Sequence, residues 1–144
     1  MNKALSVSKS IYINASPAAI WDVLTNPKKI KVYLYGTETI SDWEVGSPII
    51  FQGEYQGQTY KDKGNVLENV PNKRLVYNYW SGFSGLEDKP ENYFIVSYII
   101  DESNENTSVL TWLQEGFSSD AGREHTEKGL PAMLAQIKQL AEDS

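Results

Sequence analysis

The sequence predicts an α+β fold in which an antiparallel β-sheet packs against a long C-terminal helix. Three observations predict it: an N-terminal strand followed by short helical segments, a middle region of strand-like runs separated by turns, and a final segment with helical period. The chain has 144 residues without repeats, low-complexity tracts or long linkers. We therefore expect a single domain spanning residues 1–144.

The N-terminal segment predicts one strand and one or two short helices. Over residues 5–13 the apolar side chains share one parity, which is typical of a half-buried strand. A helix should begin at Ser16-Pro17, because serine caps free N–H groups and proline fits the first helical position. Asn26-Pro27 should end it, since proline disfavours a helical residue before it. Residues 28–35 are predicted to form a further short helix.

The middle of the chain predicts an antiparallel meander. Turn-forming residues such as Gly57 and Pro71-Asn72 separate its strands. The predicted strands are residues 37–43, 48–55, 58–70, 73–81, 91–102 and 106–116.

From Ser119 the pattern changes to helical period. The apolar stripe consists of Leu130, Met133, Leu134, Ile137, Leu140 and Ala141. Pro131 interrupts this segment, and proline inside a helix costs about 3 kcal/mol through a lost hydrogen bond and a steric clash. We therefore expect a kink or break near residues 129–131.

Composition excludes several kinds of chemistry. The chain has no cysteine and a single histidine, His125, which excludes disulfides, thiolate nucleophiles and histidine-rich metal sites. No carboxylates have the spacing of a metal pair or of a general acid and base. We therefore expect no metal, no cofactor and no catalytic residue.

Charge and hydropathy set expectations about partners and location. There are 19 acidic and 13 basic residues, and the net charge of −6 disfavours nucleic acid as a partner. No apolar stretch has the length of a signal peptide or of an integral membrane segment. A cytoplasmic protein is the expectation. The chain is rich in aromatic residues, with four Trp, nine Tyr and four Phe, and it has few reactive side chains.

The order of elements and three stretches of sequence carry a resemblance to a known family. They are SIYINASPAAIWDVLTNPKKI, WEVGSPIIFQGEYQGQTYKDKGNVLENVPNKRLVYNYW, and TSVLTWLQEGF with GLPAMLAQIKQLAE. The chain resembles the START-like (SRPBCC, helix-grip) superfamily, and within it most resembles domains similar to the activator of heat-shock-protein-90 ATPase. The resemblance implies a curved antiparallel sheet of about six to seven strands wrapped around the C-terminal helix. It also implies an apolar cavity between them.

Strand parity indicates which residues could line such a cavity. Asn78 is expected to face water, which turns its strand neighbours Tyr77 and Tyr79 toward the helix. For the last strand, the register of the family favours Trp112 inward. The ligand-binding candidates from the strands and the facing helix are Phe51, Tyr55, Tyr77, Tyr79, Phe94, Tyr98, Trp112, Met133 and Ile137.

The bias toward tyrosine has two interpretations. A buried hydroxyl without a partner costs about 1–3 kcal/mol, so several inward tyrosines favour a cavity where their hydroxyls meet water or a ligand. The alternative is that each tyrosine is an ordinary packing residue whose hydroxyl reaches the rim of the sheet.

Glu115, Arg123 and His125 are candidate residues of the cavity mouth, near the start of the C-terminal helix. An imidazole can exchange a proton near neutral pH, whereas the polar neighbours of His125 favour a simple solvated helix turn. Glu115 and Arg123 could form an exposed ion pair worth at most about 1 kcal/mol. Trp80 and Phe83 could form a lid or a dimer contact, or simply pack within their loop.

Three functional hypotheses follow. The favoured one is non-enzymatic binding of a small hydrophobic or aromatic molecule in the cavity. The second is a protein-interaction role in stress response, with a chaperone or a second copy of the chain as partner. The activator has an additional N-terminal domain that these residues do not include, which counts against chaperone activation. The third is a cyclase, dehydratase or hydrolase, which would need His125 or a carboxylate inside the cavity.

Overall fold

The computed structural model describes residues 5–34, 36–81, 87–104, 106–117 and 119–143, and for Tyr55 the backbone alone. The helices are α1 (Pro17–Thr25), α2 (Pro27–Tyr33) and α3 (Asp120–Glu142), and Pro90–Asn92 form a 3₁₀ turn. The strands are β1 (Ser6–Ile13), β2 (Glu38–Ile40), β3 (Pro48–Tyr55), β4 (Gln58–Val70), β5 (Arg74–Tyr79), β6 (Phe94–Asn104) and β7 (Thr107–Glu115). None of the described helices combines the length and hydrophobicity of a membrane-spanning segment.

The described strands form one seven-stranded sheet in the order β1-β7-β6-β5-β4-β3-β2. Every neighbouring pair is antiparallel. The register of β4 against β5 shifts between Val66 and Glu68, and such a bulge bends a strand and increases its twist. The predicted α+β helix-grip fold, a curved antiparallel sheet with a long C-terminal helix, is therefore confirmed.

Local chemistry explains where the helices begin. The Ser16 side chain accepts a hydrogen bond from the Ala19 N–H, and Pro17 occupies the first helical position. Asn26 caps α2 through the Lys28 N–H, so the same Asn-Pro step ends one helix and begins the next. Ser119 caps α3 by accepting from the Gly122 N–H.

The core lies between the sheet and the helices. The apolar face of α3 contributes Leu130, Leu134, Ile137 and Ala141, all buried. They pack in one cluster with side chains of α1 and of the inward strand faces, such as Ile20 and Leu110. This packing places α3 across the concave face of the sheet.

Three elements differ from the sequence-based expectation. The strand predicted over residues 91–102 begins only at Phe94, because Pro90–Asn92 form a 3₁₀ turn. The strand predicted over residues 37–43 ends at Ile40, because Ser41 and Asp42 accept hydrogen bonds from the backbone two residues ahead and turn the chain. Of the kink or break expected near residues 129–131, the break is wrong, since α3 continues through Pro131. Buried residues of α3 on both sides of the exposed proline hold the helix against the core.

Candidate functional site

A cavity of about 780 Å³ lies between the sheet and α3. Five strands, the segment after α2, and α3 supply its walls, which are mostly aromatic and aliphatic. The lining residues are Leu34, Thr37, Phe51, Glu54, Tyr60, Asp62, Tyr77, Tyr79, Ser81, Phe94, Val96, Trp112, Gln114, Phe117, Gly122, His125, Thr126 and Met133. Among them Glu54, Gly122 and His125 are exposed, so the cavity is open to solvent at the start of α3.

The aromatic side chains form two connected rows. The Phe51 ring centroid lies 5.8 Å from that of Tyr77 and 5.6 Å from that of Tyr79. Consecutive ring centroids are then 5.7 and 4.6 Å apart along Tyr77, Tyr98 and Trp112. Along Tyr79, Phe94 and Phe117 they are 6.2 and 5.1 Å apart. These spacings lie in the range of favourable aromatic pairs, so the wall is a packed aromatic surface.

Two tyrosine hydroxyls satisfy each other at the deep end of this surface. The hydroxyl oxygens of Tyr77 and Tyr98 are 2.8 Å apart, and both side chains are buried. Burial raises the pKa of each phenol above its ordinary value, because the charged form would lose its hydration. Both groups are therefore neutral hydrogen-bonding hydroxyls over the physiological pH range.

A carboxylate enters the cavity from β4. Asp62 is only 6% exposed, and its Oδ2 accepts a hydrogen bond of 2.7 Å from the Tyr79 hydroxyl. Burial, and after it the negative charge of Asp62, holds the pKa of Tyr79 well above the usual value. The phenol therefore remains a donor to the carboxylate.

Two further polar groups belong to the wall. The hydroxyls of Thr37 and Tyr60 are 2.5 Å apart, and the Thr37 hydroxyl also donates to the Leu34 carbonyl. The Tyr60 hydroxyl therefore donates to Thr37. Trp112 is 5% exposed, and its buried Nε1 has no hydrogen-bond partner within the described structure. This N–H is a donor in need of an acceptor.

Six of the nine cavity candidates line the cavity: Phe51, Tyr77, Tyr79, Phe94, Trp112 and Met133. Tyr98 and Ile137 do not reach it. Tyr98 is buried behind the wall, where it supports Tyr77, and Ile137 lies in the core with no exposed surface. The side chain of Tyr55 lies outside the described residues, as does Phe83 in the loop considered as a lid.

The three mouth candidates have different positions. His125 lies in the first turns of α3 and is exposed, and it lines the cavity with Gly122 and Thr126. Glu115 and Arg123 are absent from the lining. Arg123 Nε lies 3.8 Å from Asp120 Oδ1 within the same helix, a local pairing that replaces the suggested one with Glu115.

Sequence reasoning missed Asp62, the buried acid of the cavity. In β4, Tyr60, Asp62, Gly64 and Val66 share the inward parity, and the residues between them are exposed. An aspartate on the inward parity of a strand is unusual, because burying a carboxylate is costly. The strand contains so many polar residues that its inward face has no apolar alternation to reveal it.

The acid–base hypothesis requires titratable groups in the cavity, and the structure places two carboxylates and an imidazole there. They are Glu54, Asp62 and His125. The suggested Glu115 is not among them. The described residues contain no group of three or more histidine, aspartate or glutamate side chains suited to holding a metal ion.

Comparison with known proteins supports the fold and the family. The family described as "Activator of Hsp90 ATPase homolog 1-like protein" matches residues 14–142. No curated protein matches the sequence significantly.

Solved structures with similar folds cover nearly the whole chain. The solution structure of a protein from Cytophaga hutchinsonii is 31% identical, with a TM-score of 0.83 over 99% of this chain and 97% of that one. The Aha1 dimer from Colwellia psychrerythraea is 20% identical, with a TM-score of 0.71 over 95% and 96% of the two chains. An HSP90 activator from Plasmodium falciparum is 14% identical, with a TM-score of 0.75 over 94% and 95%. At these two lower identities the likeness concerns the fold.

Proposed function

We propose that this chain, which belongs to the family of activator of Hsp90 ATPase homolog 1-like proteins, binds a small hydrophobic or aromatic molecule in the cavity under α3. The observation that carries the proposal is the cavity itself, about 780 Å³ in volume, with seven aromatic side chains in its described lining. Sites for small ligands are typically clefts of about 300–1,000 Å³ with mostly apolar walls and a few polar groups.

The polar groups of the wall support binding rather than packing. The lining includes the buried Asp62, which accepts a hydrogen bond from the Tyr79 hydroxyl, and the half-buried Gln114. Both side chains can orient a ligand in a cavity whose walls are otherwise mostly apolar.

Binding of the neutral dye Nile red tests this function. We expect its emission to shift to the blue and strengthen with the protein, because the dye enters an apolar site. Thr126→Trp places a large ring at the half-buried mouth of the cavity and should weaken dye binding by about tenfold or more. Ala132→Trp adds the same ring at an exposed position of α3 outside the lining, and should leave binding unchanged.

Two results would contradict the proposal. One is the absence of any dye response in the wild-type protein, and the other is equal weakening by both substitutions. Native mass spectrometry of protein purified from cells provides a second measurement, because a retained small molecule would add a defined mass that Thr126→Trp should remove.

The family itself favours a second candidate, an interaction with a chaperone of the Hsp90 type. A pull-down and an ATPase assay with purified Hsp90 test it directly. A chaperone-interaction function requires both retention of the protein and a change in the ATPase rate. If the protein is not retained and the rate does not change, this candidate is wrong, and cavity binding is unaffected.

A further inference from the structure

We infer that the ligand of the cavity is an organic cation, an amine attached to an aromatic or apolar body. This inference rests on the proposed function, because it names the chemical class that the same cavity selects. It follows from the placement of a buried carboxylate among aromatic rings.

Asp62 is a buried carboxylate. Removing a carboxylate from water costs several kcal/mol unless it is paired with an opposite charge or fully hydrogen bonded. The Tyr79 hydroxyl supplies one hydrogen bond to Oδ2. No lysine, arginine or histidine in the described part of the chain forms an ion pair with Asp62. The neighbouring Lys63 pairs with Asp88 instead. The carboxylate thus lacks a counter-ion, and it lines the cavity.

The walls around Asp62 favour the same kind of charge. The face of an aromatic ring attracts a cation, and the attraction is stronger when the cation is removed from water. Phe51 is the cross-strand partner of Asp62, and Tyr79 donates to it, so two aromatic side chains flank the carboxylate. The other rings of the lining are Tyr60, Tyr77, Phe94, Trp112 and Phe117.

The charge balance of the cavity is negative. Its described lining contains the carboxylates of Glu54 and Asp62 and no lysine or arginine, and His125 is the one basic side chain. The net charge of the chain, −6, adds a long-range attraction for cations. The charge of the lining and the net charge of the chain both favour a positively charged ligand.

Other ligand classes fit less well. An anionic ligand such as a fatty acid would place like charges together, and like charges repel strongly where water is partly excluded. A neutral ligand would cover Asp62 without supplying a counter-ion. An ammonium group supplies both the opposite charge and hydrogen-bond donors for the carboxylate.

Three probes of nearly one shape test the inference: 2-(1-naphthyl)ethylamine, 2-(1-naphthyl)ethanol and 1-naphthaleneacetate, a cation, a neutral molecule and an anion. We measure binding by calorimetry at neutral pH. The wild-type protein should bind the amine about tenfold more tightly than the alcohol, and the acetate most weakly.

Asp62→Asn keeps the side-chain size and an oxygen acceptor for Tyr79 while removing the charge. This variant should bind the amine and the alcohol within about twofold of each other, with affinity for the alcohol unchanged. Asp101→Asn makes the same change at an exposed position of β6 outside the cavity, and should keep the wild-type preference.

The outcomes separate the inference from the function. Binding of the alcohol as tightly as the amine by the wild-type protein would overturn the inference and leave cavity binding intact. Retention of the amine preference in Asp62→Asn would also overturn it. If no probe binds and Nile red gives no response, both proposals are wrong. The affinities of the wild-type protein for the three probes test the inference even if Asp62→Asn does not fold.

Discussion

At the residue scale, two tryptophans of this chain show what a partner does for a buried N–H. Trp43 Nε1 donates to the Thr25 carbonyl at 2.9 Å, whereas Trp112 Nε1 is buried without a partner. A satisfied hydrogen bond contributes about 1 kcal/mol net, and an unmade one leaves the desolvation cost of the group. The same N–H group therefore stabilises the fold at one position and carries an uncompensated desolvation cost at the other.

Replacement of each tryptophan by phenylalanine tests this difference. Trp43→Phe should lower the free energy of unfolding by at least about 1 kcal/mol more than Trp112→Phe, because only Trp43 loses a hydrogen bond and leaves a carbonyl unpaired. Urea unfolding followed by circular dichroism measures both variants. Equal destabilisation would mean that the Trp112 N–H already has a partner in the ligand-free protein.

At the element scale, strand β4 and its neighbour β5 approach each other so closely at Gly64 that no side chain fits there. A Cβ atom at Gly64 would lie 1.8 Å from the Asn78 carbonyl oxygen. The Asn78 side chain also accepts a hydrogen bond from the Asn65 N–H at 2.6 Å. Gly64 lies between Asp62 and the bulge near Val66, so this close approach helps to position the strand segment that carries the buried acid.

Two glycine-to-alanine substitutions should have opposite effects. Gly64→Ala should destabilise the protein by at least the roughly 1–3 kcal/mol of an overpacked site, because backbone must move to admit the methyl group. Gly129→Ala lies within α3 with nothing within 4 Å of the added Cβ, and should stabilise it by about 1 kcal/mol through helix propensity. Thermal unfolding measures both changes. A neutral Gly64→Ala would contradict the close packing of the two strands.

Sequence periodicity predicts the face of a strand but not the depth of each residue along it. Parity placed Tyr77 and Tyr98 on the helix side, yet only Tyr77 reaches the cavity, because Tyr98 lies behind it. Ile137 has the correct helical face and is buried where α3 packs tightly on the core. Asp62 was missed for a different reason, because the many polar residues of β4 leave no apolar alternation that marks its inward face. How deeply a side chain is buried depends on where α3 crosses the curved sheet.

At the scale of the whole molecule, the burial of tyrosine side chains makes the stability of the fold depend on pH. Burial raises the pKa of Tyr33, Tyr77 and Tyr98 above the ordinary value, and for Tyr79 burial and the charge of Asp62 act together. Each group is protonated in the folded protein at a pH where the unfolded chain has begun to release its proton. The contribution of these tyrosines to stability is therefore complete below the unfolded pKa of about 10.

Stability should consequently fall steeply as the pH rises above about 10. The folded protein binds more protons than the unfolded chain in this range, so the free energy of unfolding decreases with pH, by up to about 1.4 kcal/mol per pH unit for each buried tyrosine. Urea unfolding at pH 8 to 11, with tyrosinate absorbance at 295 nm, measures the decrease. The double variant Tyr77→Phe, Tyr98→Phe removes two of the groups and should show a shallower slope, whereas Tyr12→Phe, at an exposed position of β1, should not. A wild-type slope near zero would mean that the buried phenols ionise in the folded protein as readily as in the unfolded chain.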